Sequence, residues 1–245
     1  MKILFSPSSA AAFNLAAEEY FFSGSEDDFL FLYVNEPCVI IGSNQAVVNE
    51  VDMDFCIEHD IRIVRRLSGG GAVYHDKGNL NYCFIHNQRA GQSPLSGGFL
   101  LPVMDVLKSF QVPVQMWKRK DLWLPGGYKI SGTASHVSRK RELHHGTLLY
   151  DADIEKLHRA LTPENGRIHK RATASVPSPV KNIRTYLHEN GLEYPPSDIF
   201  FDLFTKEMKK YYSITDLQML ENHDVEYVET LRKNKYSRRE WNHKL

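Results

Sequence analysis

The stretch around Ser68 is the first place in this chain where residue types and spacing indicate chemistry. Two arginines, Arg65 and Arg66, precede Ser68 and the contiguous glycines 69–71. A glycine backbone lets a ligand approach closely, and its N–H groups together with nearby arginines suit an anion. The stretch therefore predicts a site for a phosphate or carboxylate. A flexible hinge or bulge after the predicted strand 61–64 remains an open alternative.

The glycine spacing excludes two familiar nucleotide sites. No Lys-Ser or Lys-Thr follows at the distance that a P-loop requires, and the glycines are contiguous rather than spaced as in a dinucleotide-binding fingerprint.

A second pair of candidate residues flanks the turn Pro125-Gly126-Gly127. This turn predicts that Asp121 and Lys129 lie on adjacent strands and face one site. A lysine is almost never fully buried without a partner, so Lys129 is either a functional group or an edge residue that extends to solvent.

The histidines at 144 and 145 follow the basic triplet 139–141, which predicts a solvated hairpin tip. The spacing of these histidines, without a cysteine pair, does not indicate a zinc site. Taken alone, His145 is expected to satisfy a backbone group.

Composition limits the class of protein. The chain has 245 residues, of which 42% are hydrophobic and 24% charged, and thirty basic residues balance thirty acidic ones. A balanced charge offers no field for nucleic acid or an anionic membrane, and no apolar run is long enough to span a bilayer. Three cysteines make no disulfide framework, which favours the cytoplasm.

Hydrophobic patterning predicts helices and strands in alternation. The predicted helices are 8–22, 51–59, 101–110, 151–161 and 197–212, with a last one around 225–231. The predicted strands are 29–34, 38–41, 61–64, 81–86, 114–117, 122–124, 128–130, 134–138 and 143–150. Ser8 or Ser9, Asp151 or Asp153, and Ser197 are expected to cap helices. Residues 89–98 are expected to form a mobile loop and 162–179 an ordered functional loop.

Short turns between the strands predict antiparallel pairing. The turn Asn35-Glu36-Pro37 predicts a hairpin between strands 29–34 and 38–41. We therefore expect an α+β fold with a mixed, largely antiparallel sheet flanked by helices. No boundary divides the chain, so residues 1–245 are expected to form one domain.

The ordered set of motifs resembles the lipoate–protein ligase A family. The matching stretches are 14–19 (NLAAEE), 65–79 (RRLSGGGAVYHDKGN), 129–134 (KISGTA), 145–149 (HGTLL), 175–182 (SVPSPVKN), 235–237 (KYS) and 240–242 (EWN). Each motif alone is weak, but the set spans nearly the whole chain. The resemblance implies the fold of the biotin and lipoate protein ligases.

The resemblance also implies a two-step reaction. Lipoate and ATP give lipoyl-AMP and pyrophosphate, and a lysine of a lipoyl domain then takes the lipoyl group and releases AMP. The acceptors implied are the E2 subunits of 2-oxoacid dehydrogenases and the H protein of glycine cleavage. Lys129 is the implied catalytic residue, Asp121 would bind Mg²⁺ or orient the acceptor lysine, and strands 29–41 and 81–85 would line an apolar tunnel. The residues implied to bind ATP and lipoyl-AMP are Arg66, Ser68, Gly70, Gly71, Ala72, Val73, Tyr74, Asn79, Lys129 and His145.

Three alternatives stay open at this point. Related octanoyltransferases use a cysteine nucleophile, but Cys38, Cys56 and Cys83 all fall in predicted core elements. A lipoyltransferase would use preformed lipoyl-AMP, or would activate lipoate only with a partner subunit. A non-enzymatic binding module is the third alternative, and Lys129 beside a full glycine loop argues against it. Many family members continue into a C-terminal accessory domain, which is expected to be absent here and is possible as a separate small protein.

Overall fold

The structure is a computed structural model that describes residues 1–88, 97–138, 140–163, 169 and 171–244. The described strands are β1 (Lys2–Phe5), β2 (Phe29–Val34), β3 (Cys38–Ile41), β4 (Arg62–Arg65), β5 (Val73–His75), β6 (Asn79–Asn87), β7 (Gln115–Met116), β8 (Leu122–Leu124), β9 (Tyr128–Ser131), β10 (Thr133–Val137) and β11 (Arg141–Leu149). The described helices are α1 (Ala11–Gly24), α2 (Val47–Glu50), α3 (Met53–Glu58), α4 (Leu101–Ser109), α5 (Ile154–Ala160), α6 (Ile183–Glu189), α7 (Ser197–Tyr211), α8 (Asn222–Leu231) and α9 (Arg239–Asn242).

The described strands form three sheets, and most neighbouring strands in them are antiparallel. The largest sheet has the order β1-β2-β6-β11-β10, in which β1 and β2 are parallel and the other pairs antiparallel. A second sheet, β4-β3-β5, has one parallel and one antiparallel pair. The third sheet, β7-β8-β9, is antiparallel. The predicted α+β class with largely antiparallel pairing is confirmed.

The five-stranded sheet is covered on both faces. Along β2, Phe29 and Phe31 pack in a core with α1 and α8, whereas Leu30 and Leu32 pack in a core with α4 and α7. Side chains of a strand alternate between the two faces of a sheet. A strand that is buried on both faces is apolar throughout, which explains the continuous apolar run in this part of the sequence.

The predicted hairpin between residues 29–34 and 38–41 is wrong. β2 pairs with β1 and β6, whereas β3 lies between β4 and β5 in another sheet. Both strands are central strands whose residues are almost all buried, and two strands alone could not provide that cover. The turn between them is anchored by the buried Asn35, whose amide bonds Asn14 and His75.

Helix ends agree only in part with the predictions. Asp153 caps α5 by accepting from the Lys156 N–H, as expected. Ala10, not a serine, holds the cap position of α1, and α7 begins at Ser197 itself, without a side-chain cap. The pattern analysis missed β1, β5 and α6, which are short elements.

Some sequence predictions fall outside the described residues. The predicted loop 89–98 lies almost wholly outside them, as do Arg139 of the basic triplet and parts of the loop 162–179. Within the described ranges, the helices are too short or too polar to cross a membrane.

Candidate acyl-activation site

A cleft opens where the glycine loop, α1, β10 and β11 meet. It encloses about 810 Å³ of space between protein atoms, including the part open to solvent. Its lining comprises Leu15, Tyr33, Ile40, Arg66, Gly70, Gly71, Ala72, Val73, His75, Asn81, Arg119, Asp121, Lys129, Gly132, Thr133, Ala134, His145, Gly146, Thr147, Ser175 and Val176. We call this space the inner cleft.

Lys129 and Asp121 form an ion pair at the edge of the inner cleft. The Lys129 Nζ lies 3.0 Å from the Asp121 Oδ2, and the Lys129 side chain is 21% exposed. Lys129 lies on β9, and Asp121 directly precedes the paired strand β8, as the Pro-Gly-Gly turn predicted. The lysine therefore faces the cleft and a carboxylate, instead of extending to solvent as an edge residue.

Arg66 holds the glycine loop in shape from within. Its guanidinium donates to the carbonyl oxygens of Gly69 at 2.6 Å and Gly71 at 2.8 Å, and to the Ser68 hydroxyl at 3.0 Å. Burial lowers the pKa of Arg66 to about 10, so the side chain stays protonated at neutral pH. The positive charge of Arg66 is therefore present at the cleft, but most N–H groups of its guanidinium already donate to other groups of the protein. These bonds argue against a flexible hinge.

His145 belongs to a buried chain of side chains. Its Nε2 lies 2.6 Å from the Ser68 Oγ, and its Nδ1 lies 2.8 Å from a carboxylate oxygen of Glu18. The other oxygen of Glu18 accepts from the Tyr33 hydroxyl. The expectation that His145 satisfies a backbone group is therefore wrong, because both ring nitrogens contact side chains. His145 lines the inner cleft, whereas Ser68 is fully buried behind it.

Besides Ser68, two predicted binding residues, Tyr74 and Asn79, do not line the inner cleft. The Tyr74 ring is 2% exposed and packs in the apolar core with α3 and α5. The Asn79 side chain is fully buried and donates to Asn81, which lines the cleft in its place. Asn79 and Asn81 point to the same face of β6, because residues two apart in a strand share a face. Of the two, Asn81 is the one that lines the cleft.

His75 lines the inner cleft, and the sequence analysis did not identify it as a site residue. Asn35 accepts from Asn14 through its Oδ1 at 2.8 Å, so its Nδ2 donates to the His75 Nδ1 at 3.0 Å. The proton of the neutral ring must then lie on Nε2, which has no hydrogen-bond partner among the described residues. Burial, with the nearby charge of Arg66, lowers the pKa of His75 to about 3. His75 thus offers an uncommitted neutral N–H; alternation from Val73 on β5 was the signal for it.

Ser175 joins the described part of the long loop to the glycine loop. Its Oγ accepts from the Ala72 N–H at 2.8 Å and from the Gln45 amide at 3.1 Å, and its own N–H donates to Glu50. Ser175 thus docks this part of the loop at the cleft. No sequence pattern indicated these contacts, since they join residues more than a hundred positions apart.

A second cleft adjoins the first on the side of α5. It encloses about 900 Å³, again with its open part, and Tyr74, Leu149, Leu157, His158 and Leu161 belong to its lining. We call it the outer cleft. The residues that line both clefts are Ala72, Val73, Lys129, Gly132, Thr147, Ser175 and Val176. A ligand in both clefts would therefore pass beside the Lys129 ammonium.

Comparison with known proteins gives the site a context. Residues 10–212 match the family described as the lipoyl protein ligase A/B catalytic domain. The chain is 34% identical to lipoate–protein ligase 1 of Staphylococcus aureus and to a lipoate-protein ligase of Bacillus subtilis, each over 94% of this chain and 69% of the relative.

Two solved structures share the fold. A lipoate-protein ligase A bound with ATP superposes with a TM-score of 0.80 at 22% identity, covering 98% of this chain and 97% of that one. A bi-partite lipoate protein ligase of Thermoplasma acidophilum, described with its E2 lipoyl domain, gives a TM-score of 0.81 at 22% identity, covering 98% and 95%.

Proposed function

Since this chain belongs to the lipoyl protein ligase A/B catalytic domain family, we propose that its two clefts carry out both steps of an ATP-dependent lipoate–protein ligase. A carboxylate oxygen of lipoate attacks the α-phosphorus of ATP, and the bond to the β-phosphate breaks. Lipoyl-AMP and pyrophosphate result. A lysine amine then attacks the lipoyl carbonyl, the bond to AMP breaks, and the amine loses a proton. The observation that carries this proposal is the Lys129 ammonium where the two clefts meet.

The inner cleft suits the acyl chain. Leu15, Tyr33 and Ile40 give it apolar surface, and the neutral N–H of His75 supplies a donor that does not bring a charge. Ligand sites commonly combine apolar lining with a few placed polar groups. Tyr33, Ile40 and Asn81 come from the strands that the sequence assigned to a tunnel.

The outer cleft suits the nucleotide. The stretch from Ala72 to Tyr74 borders it, and backbone N–H groups stabilise the charge of a reacting phosphate. In the present structure the Ser175 hydroxyl takes the Ala72 N–H. A phosphate at that N–H would displace Ser175, so nucleotide binding and the position of the long loop are linked.

Lys129 supplies the charge that both steps need. A carboxylate and a triphosphate repel each other, and a fixed ammonium beside them lowers the barrier without reorganisation. Positioning of the two substrates in adjoining clefts accounts for further acceleration. No covalent enzyme intermediate is required, and Cys38, Cys56 and Cys83 are buried thiols. Burial raises the pKa of Cys56 to about 11, away from the reactive thiolate form.

One residue of this site, Asp121, is a suitable ligand for Mg²⁺. Asp121 is the acidic residue among the described residues that line the inner cleft. Mg²⁺ is commonly bound by one or two carboxylates together with substrate phosphates. Asp121 would hold the ion near Lys129, where the two clefts adjoin, and Mg²⁺ would neutralise phosphate charge there.

The second substrate is a protein. We propose lipoyl domains of E2 subunits and the H protein of glycine cleavage as acceptors, because the ligase chemistry requires an accessible lysine amine. Three free cysteines support a cytoplasmic location.

Mass spectrometry of a purified lipoyl domain tests this function. The domain is incubated with the chain, ATP and Mg²⁺, with lipoate in one reaction and octanoate in another. We expect the mass of one lipoyl amide, dependent on ATP. A domain in which the acceptor lysine is replaced by arginine is the control. A domain that stays unmodified after incubation with lipoate, ATP and Mg²⁺ would contradict the proposal.

A further inference from the structure

Four polar side chains meet on one face of the five-stranded sheet, at the end where β6, β11 and β10 lie side by side. Glu142 on β11 lies opposite His86 on β6, and His144 lies opposite Ser135 on β10. Cross-strand partners share a face, and so do residues two apart on one strand. The register of the sheet therefore brings these four side chains together, although His86 and His144 are 58 positions apart in the sequence.

Three of these side chains have the spacing of metal ligands. One donor atom each from His86, Glu142 and His144 lies within 4.8 Å of the others, and the His144 Nε2 is 3.0 Å from the Glu142 Oε2. Zinc binds nitrogen and oxygen ligands at 2.0 to 2.2 Å in a tetrahedron, which spaces ligand atoms by about 3.4 Å. The widest pair would have to close by at most about 1.4 Å to reach that spacing.

The surroundings of His144 orient its ring for such a role. The Ser135 Oγ lies 2.7 Å from the His144 Nδ1, and a hydroxyl can accept or donate. With a metal on Nε2, the Nδ1–H would donate to the Ser135 hydroxyl, since the second ring N–H of a ligating histidine almost always has an acceptor. The Phe99 ring stacks on His144 at 4.2 Å between centroids and 10° between planes, so the ring is held and covered.

The geometry points to a metal site in addition to the acyl-activation site: we propose that His86, Glu142 and His144 bind one divalent transition-metal ion, with Zn²⁺ favoured by the donor set. Two histidines and one carboxylate are a known set for zinc with a fourth position for water. The site is distinct from both clefts, because none of its residues lines either one among the described residues. The spacing of His144 and His145 gave no hint of it, since the partner histidine comes from another strand.

The test uses the untagged, metal-free chain and Zn²⁺ as the probe. Isothermal titration is expected to show one Zn²⁺ bound per chain, and Co²⁺ in its place is expected to give the absorption of a tetrahedral ion. His86→Ala and Glu142→Gln are each expected to weaken Zn²⁺ binding about a hundredfold, because each removes a ligand. Ser135→Ala, which removes the support of His144, is expected to weaken it about tenfold.

His188→Ala is the matched control, since His188 is an exposed histidine on α6, away from the cluster. It is expected to bind Zn²⁺ as the wild type does. Circular dichroism checks that each variant is folded, and His144 is left intact because it is buried. Wild-type protein that binds no stoichiometric Zn²⁺ would overturn the proposal. A loss of less than about tenfold in both His86→Ala and Glu142→Gln would overturn it as well.

Discussion

At the scale of single residues, the proposed reaction depends most on Lys129, because this side chain lies beside both clefts and pairs with Asp121. We expect Lys129→Ala to slow the formation of lipoyl-AMP about a hundredfold or more, since a fixed charge beside the reacting phosphate is lost. Single-turnover assays with labelled ATP measure this step. Lys129→Arg keeps the charge but replaces a compact ammonium by a planar fork, and we expect no rescue. A folded alanine variant that forms lipoyl-AMP at the wild-type rate would refute the assignment.

His75 makes stability depend on pH. Its pKa is lowered to about 3 in the folded protein from 6.5, so between these values the unfolded chain binds the extra proton. The contribution of His75 to the free energy of unfolding is therefore fully present above pH 6.5 and falls as the pH decreases. At pH 5 the loss is about 2 kcal/mol. Urea unfolding measures the free energy of unfolding of the wild type and of His75→Gln at pH 7.5 and at pH 5. We expect the stability of the wild type relative to the variant to be about 2 kcal/mol lower at pH 5 than at pH 7.5. A difference that does not change with pH would be inconsistent with a buried neutral His75.

The cysteines distinguish a ligase from a transferase that uses a thiol nucleophile. Cys38, Cys56 and Cys83 are buried, and burial raises the pKa of each thiol. We expect alanine at each position to leave activity in proportion to the folded fraction. Activity assays paired with mass spectrometry for an acyl-thioester check this. An acyl group trapped on one cysteine, with activity lost in its folded alanine variant, would assign the other mechanism.

At the scale of elements, the glycine loop offers a matched pair of substitutions. A Cβ on Gly71 would lie 2.9 Å from the Ser175 Oγ, whereas a Cβ on Gly69 would meet no atom within 4 Å. We expect Gly71→Ala to reduce adenylate formation about tenfold, because the added methyl group would shift the part of the glycine loop that lines the inner cleft. Gly69→Ala is expected to stay within about twofold of wild type. Equal activity of the two variants would show that the contact between the loops has no role.

Gly70 is the position in the glycine triplet whose backbone conformation itself requires glycine. Its φ of 92° lies in the left-handed region, where residues with a Cβ are strained. The sequence indicated this loop and the strand before it, because glycine and apolar runs are local signals. The same reasoning placed Lys129 and Asp121 on adjacent strands, since the turn between them is short and its residues are specific.

Elements whose partners are remote in sequence were harder to predict. The apolar runs of β2 and β3 were correctly identified as strands, but their pairing was not, because Asn35 directs the chain into a second sheet through bonds to Asn14 and His75. Arg66, which the resemblance assigns to the nucleotide, bonds the carbonyls of its own loop, and the sequence did not indicate these bonds. Local patterns do not contain such contacts, so they could not be derived from the sequence.

At the scale of the whole molecule, the site depends on the assembly of all three sheets. His145 comes from the five-stranded sheet, His75 from the sheet of β3, and Lys129 from the sheet of β8. Ser175 adds the long loop, and Glu18 adds α1. The family motifs identified most of these stretches, whereas the contacts between them emerged only from the fold.

The exchange of labelled pyrophosphate into ATP tests the central claim most directly. The chain is incubated alone with ATP, Mg²⁺ and labelled pyrophosphate, with and without lipoate. We expect exchange that requires lipoate and is lost in Lys129→Ala, because reversal of the first step returns pyrophosphate to ATP. Absence of exchange in the wild type, with transfer from supplied lipoyl-AMP to a lipoyl domain intact, would contradict the claim that this chain activates lipoate.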